Sequence, residues 1–422
     1  MPEHVIRERP LGPQEALFAE LIRRADGAIQ MPCLAEFRDP PPAERLRQAL
    51  ARVHARHPML QARIVDGAAL HWRCDVPWRD IPLRCQAMGV DFDLETFYAV
   101  EADAPMDLAR QAWRCVLLTD ATGRVAWLAL TFNHAAVDGR SALVVLNDLD
   151  RALTEPTAFG PDPLPLLPPV EQVLVRPDEK GDQGLELSVP AASMWPVAEQ
   201  APSSGRRPRA FLRSFPAARL ERLHARLRSQ GLHLAAAFCA AAVKAACPFP
   251  GHSGWTQVLA PTDIRQDCAP PIPNDAVGEF VSVISLAIGP DRQDCDLLEL
   301  AAMLNEQLRA RRPLALHLAP DYRLGETQAQ ADAIAAANAV FTGGLCVTDI
   351  GDLERLSGRP TGFSRVLLMP AQKHGIHPIM VAVVTTPEGA CLSFGHAEPL
   401  TAAATAQSFA ARYMAALDEL AG

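Results

Sequence analysis

The pattern of apolar and polar positions is sharpest over residues 125–149, VAWLALTFNHAAVDGRSALVVLNDL. Residues 125–132 carry no charge and are nearly all apolar, which predicts a strand buried on both faces. Asn133 and His134 end that strand, Asp138 and Gly139 close a short turn, and 141–149 resumes an apolar pattern at helical spacing. Upstream, a strand is predicted over 4–8, a short helix over 14–22 with Leu17, Phe18, Leu21 and Ile22 on one side, and an extended stretch over 28–37. Leu46, Leu50 and Val53 mark an amphipathic helix over 43–57, stopped by Pro58. A strand at 61–65 then pairs with 68–73, and 112–118 pairs with 125–132 about the turn at 120–123.

The second half repeats this alternation. A strand at 210–214 leads into a helix over 216–230, with proline at its start and Gly231 just past its end. Residues 234–246 are apolar all round and predict a helix deep in its lobe. A strand at 256–260, a helix at 298–309, a hairpin of 379–384 with 390–395, and a last helix over 401–420 complete the set. Alternation of this kind predicts an α/β (α+β) protein of two lobes, each a mixed sheet with helices on its outer face. The proline-dense run at 160–169 cannot form a regular element. The expected division is a first lobe over 1–159, a connector and crossover over 160–209, and a second lobe over 210–422.

Composition narrows the class of function. About half of the 422 residues are hydrophobic and the net charge is -9, with arginine spread evenly and lysine only at Lys180, Lys244 and Lys373. No basic surface for nucleic acid is expected. The ten cysteines form no C-x-x-C pair and fall largely on apolar faces, so they read as reduced, buried thiols. No apolar run reaches the length of a membrane span and the N-terminus lacks the apolar core of a signal peptide, so a cytoplasmic location is expected. His374, His377 and His396 fall near turns without a zinc-like spacing, and no metal is expected.

His134 is the strongest candidate for chemistry. A side chain where a buried strand runs out is held by packing yet can face a cleft, and an imidazole there exchanges protons near neutral pH. Asp138, with Gly139 freeing the backbone, reads as a carboxylate that braces the turn. By itself the pattern leaves open a plain strand-end histidine and a plain turn aspartate. No G-x-S-x-G, P-loop or dinucleotide signature offers another nucleophile or cofactor cradle.

The phrase Asn133-His134-Ala135-Ala136-Val137-Asp138-Gly139 resembles the H-H-x-x-x-D-G motif of the condensation-domain and acyl-CoA-dependent acyltransferase superfamily, with Asn133 in place of the first histidine. Four further segments are similar to that superfamily: the helix, R-H-P-x-L and strand around His57, the P-x-D-x-R phrase ending at Arg265, the glycine-led apolar run 277–282, where Ser282 stands for a frequent asparagine, and the buried strand 341–349 with its turn at 350–351, where Asp349 replaces an asparagine. The resemblance implies two chloramphenicol-acetyltransferase-like lobes in a V around a central channel, with His134 inside it as general base. It implies structural roles for Asp138, Gly139 and Arg265, including an Asp138–Arg265 ion pair across the lobes, and places Asn133 and Ser282 at the channel or beside the catalytic residue. His57 is expected only to pack or cap.

The implied activity moves an acyl group from a thioester to a hydroxyl or amine by direct attack. Acyl-CoA or a phosphopantetheine thioester serves as co-substrate, no cofactor is tightly bound, and an acyl or peptidyl carrier protein is a candidate partner. The proline-rich connector is closest to the stand-alone, polyketide-associated acyltransferases. A free-standing condensation enzyme joining carrier-bound substrates, and a catalytically silent recruitment module, are the alternatives.

Overall fold

Strand Val125–Phe132 lies at the centre of a five-stranded sheet, flanked by Met31–Phe37 and Trp113–Thr119. Leu128, Leu130 and Phe132 join a core with helices Pro13–Arg24, Ala43–Arg56 and Gly139–Thr154, whereas Trp127 and Ala129 enter a separate cluster facing the second lobe. The strand is apolar on both faces because both are covered. The computed structural model describes residues 7–155, 157–160, 162–176, 195–247, 255–292, 294–318, 323–336 and 341–422. Part of the expected strand at 4–8 and much of the connector therefore lie outside the described residues.

A six-stranded sheet forms the second lobe in the order Val281–Ile288, Thr256–Asp263, Leu345–Asp352, Met380–Thr386, Gly389–Glu398, Arg207–Pro216. Helices Ala217–Ser229, Leu234–Ala246, Leu297–Arg311 and Ala403–Ala421 cover one of its faces. Its other face meets helix Leu94–Asp103 and the first sheet through Leu34, Phe97, Val116, Cys346 and Ala382. A smaller sheet of Arg7–Pro10, His71–Cys74 and Ala62–Val65 completes the first lobe. Each lobe is thus a mixed α/β layer, as the periodicity predicts.

Several elements depart from the sequence reading. The chain does not divide between the sheets at one point: Phe363–Leu368, from the stretch expected in the second lobe, pairs antiparallel with Met31–Phe37 at the edge of the first sheet. Strand Leu83–Ala87 and helices Leu94–Asp103 and Leu324–Ala335 have no counterpart in the sequence reading. Strand Thr256–Asp263 runs on through Pro261. On the side facing Leu345–Asp352 it is paired only at Val258 and Leu259, so proline forfeits no ladder bond there.

The hairpin of Met380–Thr386 and Gly389–Glu398 turns at Gly389, whose φ is +124° and where an added Cβ would overlap the Phe215 carbonyl oxygen. Gly389→Ala is expected to cost about 2 kcal/mol or more, read as a lower midpoint in denaturant unfolding.

Candidate functional site

Asn133 shapes the turn that follows the strand. It is fully buried, its Oδ1 accepts from the Ala135 amide at 2.9 Å, and its carbonyl accepts from the Ala136 amide at 2.9 Å. Its role in the structure is therefore to set the backbone that aims the next residue. The His134 side chain is 15% exposed, against which Phe18 packs edge-on with ring centres 5.0 Å apart. Nδ1 of His134 lies 3.1 Å from Oε2 of Glu279, and Nε2 makes no hydrogen bond to any described residue.

Glu279 is buried and reaches the ring from the second lobe. Its Oε1 accepts 2.9 Å from Nε2 of Gln14, which also donates to the Val281 carbonyl. Burial raises the Glu279 pKa to about 7 against the opposing charge and hydrogen bond of His134. Burial alone would lower the pKa of His134, but the Glu279 charge and hydrogen bond outweigh it and the net shift is upward. The two groups form one coupled unit, in which the carboxylate favours a proton on Nδ1 and leaves the Nε2 lone pair directed away from the pair.

Beneath this unit sits the turn aspartate. Asp138 caps helix Gly139–Thr154, accepting from the Ser141 amide at 2.6 Å, and its other oxygen accepts from the Phe280 amide at 2.9 Å. Arg265 Nη2 lies 3.1 Å from the same carboxylate, so the ion pair expected between the lobes is formed. That guanidinium is held in turn by Asp263 at 2.7 Å, by Ser141 Oγ at 2.7 Å, and by the Phe280 ring at 4.6 Å. Ser141 Oγ both donates to the Gly278 carbonyl and accepts from its amide. Burial would raise the Asp138 pKa, but the charge of Arg265 and the hydrogen bonds from Ser141 and Phe280 bring it below the ordinary value. Gly139 has no positive φ, and its constraint is one of approach: an added Cβ would lie 3.3 Å from the Ile350 side chain, which would have to give by a few tenths of an ångström.

The remaining candidates are engaged elsewhere. The Ser282 hydroxyl donates to the Ala315 carbonyl at 2.5 Å, which makes it a bridge within the second lobe. His57 is buried with Nε2 2.8 Å from Asp148, a packing position. His374 and His377 stack edge to face, and among the described residues no group of three or more His, Cys, Asp or Glu is placed to hold a metal ion. All ten cysteines are free. No helix among the described residues is long and apolar enough to cross a membrane.

Gln14 and Glu279 escape the sequence reading. Glu279 did carry a signal, since a carboxylate between glycine and two apolar residues needs a partner if it is buried. Gln14, one polar residue at the start of an amphipathic helix, carried none.

No family model matches the chain. A stretch of 109 residues, 24% of the chain, is 32% identical to nonribosomal peptide synthetase 30 of Fusarium vanettenii, of which it spans 2%. Trichothecene 15-O-acetyltransferase from Fusarium sporotrichioides is similar in structure over 98% of this chain and 95% of its own, with a TM-score of 0.72 and 14% identity. The epimerization domain of the third module of tyrocidine synthetase B covers 99% of this chain and 98% of its own at TM-score 0.67 and 14% identity. Polyketide synthase associated protein 5 from Mycobacterium tuberculosis covers 98% of this chain and 97% of its own at TM-score 0.65 and 17% identity. The fold is that of the condensation-domain and acyltransferase superfamily, two chloramphenicol-acetyltransferase-like lobes.

Asp138→Asn removes the charge opposite buried Arg265, and a loss of about 3–5 kcal/mol is expected in chemical denaturation. Because the folded pKa of Asp138 lies below its unfolded value of about 3.9, the carboxylate contributes stability above that pH and loses it as pH falls through the folded pKa. The wild type should therefore lose stability more steeply than Asp138→Asn below about pH 4. Equal slopes in urea titrations at falling pH would contradict the assignment.

Proposed function

We propose that the protein is an acyltransferase in which His134 is the general base, moving an acyl group from a thioester to a hydroxyl or amine. The observation that carries this reading is the imidazole itself: Nδ1 is fixed by Glu279 from the other lobe, while Nε2 has no partner among the described residues. A base must meet its substrate with an unprotonated nitrogen, and a carboxylate on the far nitrogen supplies that tautomer.

Nε2 of His134 takes the proton as the acceptor oxygen or nitrogen attacks the thioester carbonyl. The new C–O or C–N bond forms, the C–S bond breaks as the tetrahedral intermediate collapses, and the thiolate leaves with the proton returned from the imidazolium. Glu279 stabilises that imidazolium, and Gln14 keeps the carboxylate from turning. General-base help of this kind contributes roughly 10²- to 10⁴-fold, with positioning of two substrates able to add more. Acyl-CoA and a carrier-bound phosphopantetheine thioester are the donors that suit a direct transfer. The partial likeness to a nonribosomal peptide synthetase favours one second reading, a condensation enzyme that takes both substrates from carrier proteins.

A panel of acyl-CoAs and carrier-bound acyl groups with alcohols and amines, followed by thiol release and product mass, tests these readings together. Transfer from CoA supports the first, transfer only between carriers supports the second, and no transfer from any donor leaves a recruitment role. With a working pair, His134→Ala should lower turnover by about 10²- to 10⁴-fold without loss of fold. A full rate in that variant removes His134 from the mechanism.

The acidic limb of the rate profile should lie above the ordinary histidine value of 6.5, since Glu279 raises the His134 pKa. Glu279→Gln should move that limb to lower pH, because burial then acts on the imidazole without an opposing charge. In that variant the Gln14 amide holds the new carbonyl oxygen and turns its NH₂ toward Nδ1, forcing the proton onto Nε2. Turnover in Glu279→Gln should consequently fall at least as far as in Glu279→Ala, by about 10²-fold or more.

A further inference from the structure

The contacts that hold the His134–Glu279 unit lead back to helix Pro13–Arg24. Gln14 and Phe18 stand four residues apart on one face of that helix, and both reach the unit: Gln14 Nε2 donates to Glu279, and the Phe18 ring packs on His134. The placement of the helix's first turn therefore decides how Gln14 meets the carboxylate.

That turn has no side-chain cap of its own. The N-cap residue is Gly12, which has nothing to accept from the first amides, and Pro13 brings no amide hydrogen. Glu15 folds back onto the Gly12 amide at 2.8 Å, and Arg9 pairs with Glu15 at 2.7 Å. The Gln14 amide is taken by a residue far along the chain, donating to Oε1 of Glu171 at 3.0 Å.

Glu171 lies in the helical turn Val170–Val173, which follows the proline-rich run of the connector. It is 7% exposed, and its Oε2 is buried without a hydrogen bond among the described residues. An added Cβ at Gly12 would overlap that Oε2, so the glycine is what admits the carboxyl group to the helix end. Glu15 and Arg9 are the charged groups that face it. Burial first, with Glu15 behind it, raises the Glu171 pKa against the Gln14 amide and Arg9. A neutral carboxyl group still accepts through Oε1, as a glutamine would.

The same turn is fastened to the second lobe. Val170 and Leu174 pack with Ile264, Cys268 and Phe280. The Val175 amide donates to the Asp267 carbonyl at 2.9 Å, and the Ala269 amide donates to the Val173 carbonyl at 2.8 Å. The element that carries Glu171 thus touches the loop around Arg265 and the residue next to Glu279.

We propose that Glu171 is a positioning residue for the His134–Glu279 unit: it fixes the first turn of helix Pro13–Arg24, so that Gln14 holds the Glu279 carboxylate against the imidazole. The segment joining the lobes thereby takes part in setting the base. This deepens the reading of His134 as general base, and the chain of contacts is tested without a substrate.

The test is the midpoint of the His134 imidazole titration, followed by NMR in the full chain and assigned by its loss in His134→Gln. Losing the Gln14 hydrogen bond favours the neutral form of Glu279 and withdraws charge from beside His134, where Asp138 is the other carboxylate acting on the ring. Glu171→Ala should therefore lower the midpoint by about 0.5 pH unit or more, and Gln14→Ala by as much. The double variant should shift no further than either alone, because both break one chain of contacts. Glu171→Gln keeps the acceptor and should stay within about 0.2 pH unit of the wild type. Gly12→Ala, at a φ of −73° that suits alanine, evicts the carboxyl group and should reproduce the shift, which keeps the test open if Glu171→Ala does not fold. An unmoved midpoint in folded Glu171→Ala or Gly12→Ala, or additive shifts in the double variant, overturns the proposal. A shift in Glu171→Gln as large as in Glu171→Ala overturns it too, by making the charge and not the hydrogen bond the cause. Absence of acyl transfer from every donor would sink the transferase reading and leave the outcome of this titration unaffected.

Discussion

The buried Asp138–Arg265 pair is the constraint on which the candidate site depends. A charge without solvent is stable only when opposed and hydrogen-bonded, and here each partner comes from a different lobe. Asp138 is at once the cap of helix Gly139–Thr154, the acceptor for the Phe280 amide, and the counter-ion of Arg265. The Phe280 amide donating to the Asp138 carboxylate, with the Asp138 amide and Ser141 Oγ donating to the Gly278 carbonyl, fixes the backbone on both sides of Glu279, and so where its carboxylate meets His134. The chemistry of the imidazole is thus set by a residue that does not touch it.

Such an arrangement answers a difficulty of sites built at a seam. Two lobes that meet through apolar contact alone can slide, and a slip of about 1 Å is enough to lose a catalytic hydrogen bond. The guanidinium of Arg265, bonded to Asp138, Asp263 and Ser141 and covered by Phe280, has a geometry that tolerates little slip. Ile350 closes against Gly139 from the same side, so that a side chain there would have to push it back by a few tenths of an ångström.

Much of this was legible in the sequence, and the failures have physical causes. The strand at 125–132 and the helix after it followed from local patterning, because each depends on neighbours in the chain, whereas the Asp138–Arg265 pair came from the resemblance of two short phrases to the superfamily. Strand Phe363–Leu368 was missed because its partner, Met31–Phe37, lies more than 300 residues away and nothing local declares the pairing. Leu83–Ala87 was missed as a short edge strand of mixed polarity. Gln14 is the hardest case: its amide matters only because Glu279 is delivered to it by the other lobe. Asn133 and Ser282 show what position alone does not tell: the Asn133 side chain accepts from the Ala135 amide and the Ser282 hydroxyl donates to the Ala315 carbonyl, so both serve the backbone.

Strand Phe363–Leu368 has a bearing on how this protein can be cut and recombined. It is stitched into the first sheet beside Met31–Phe37, yet the chain enters it from Leu345–Asp352 and returns to Met380–Thr386, both in the other sheet. A splice placed in the proline-rich region would leave the amino-terminal fragment with a bare sheet edge and the carboxy-terminal fragment with a stray ribbon. Any chimera that exchanges lobes with a protein of the same fold therefore has to carry this ribbon along with the amino-terminal half, making the transplantable cassette discontinuous in sequence although contiguous in space.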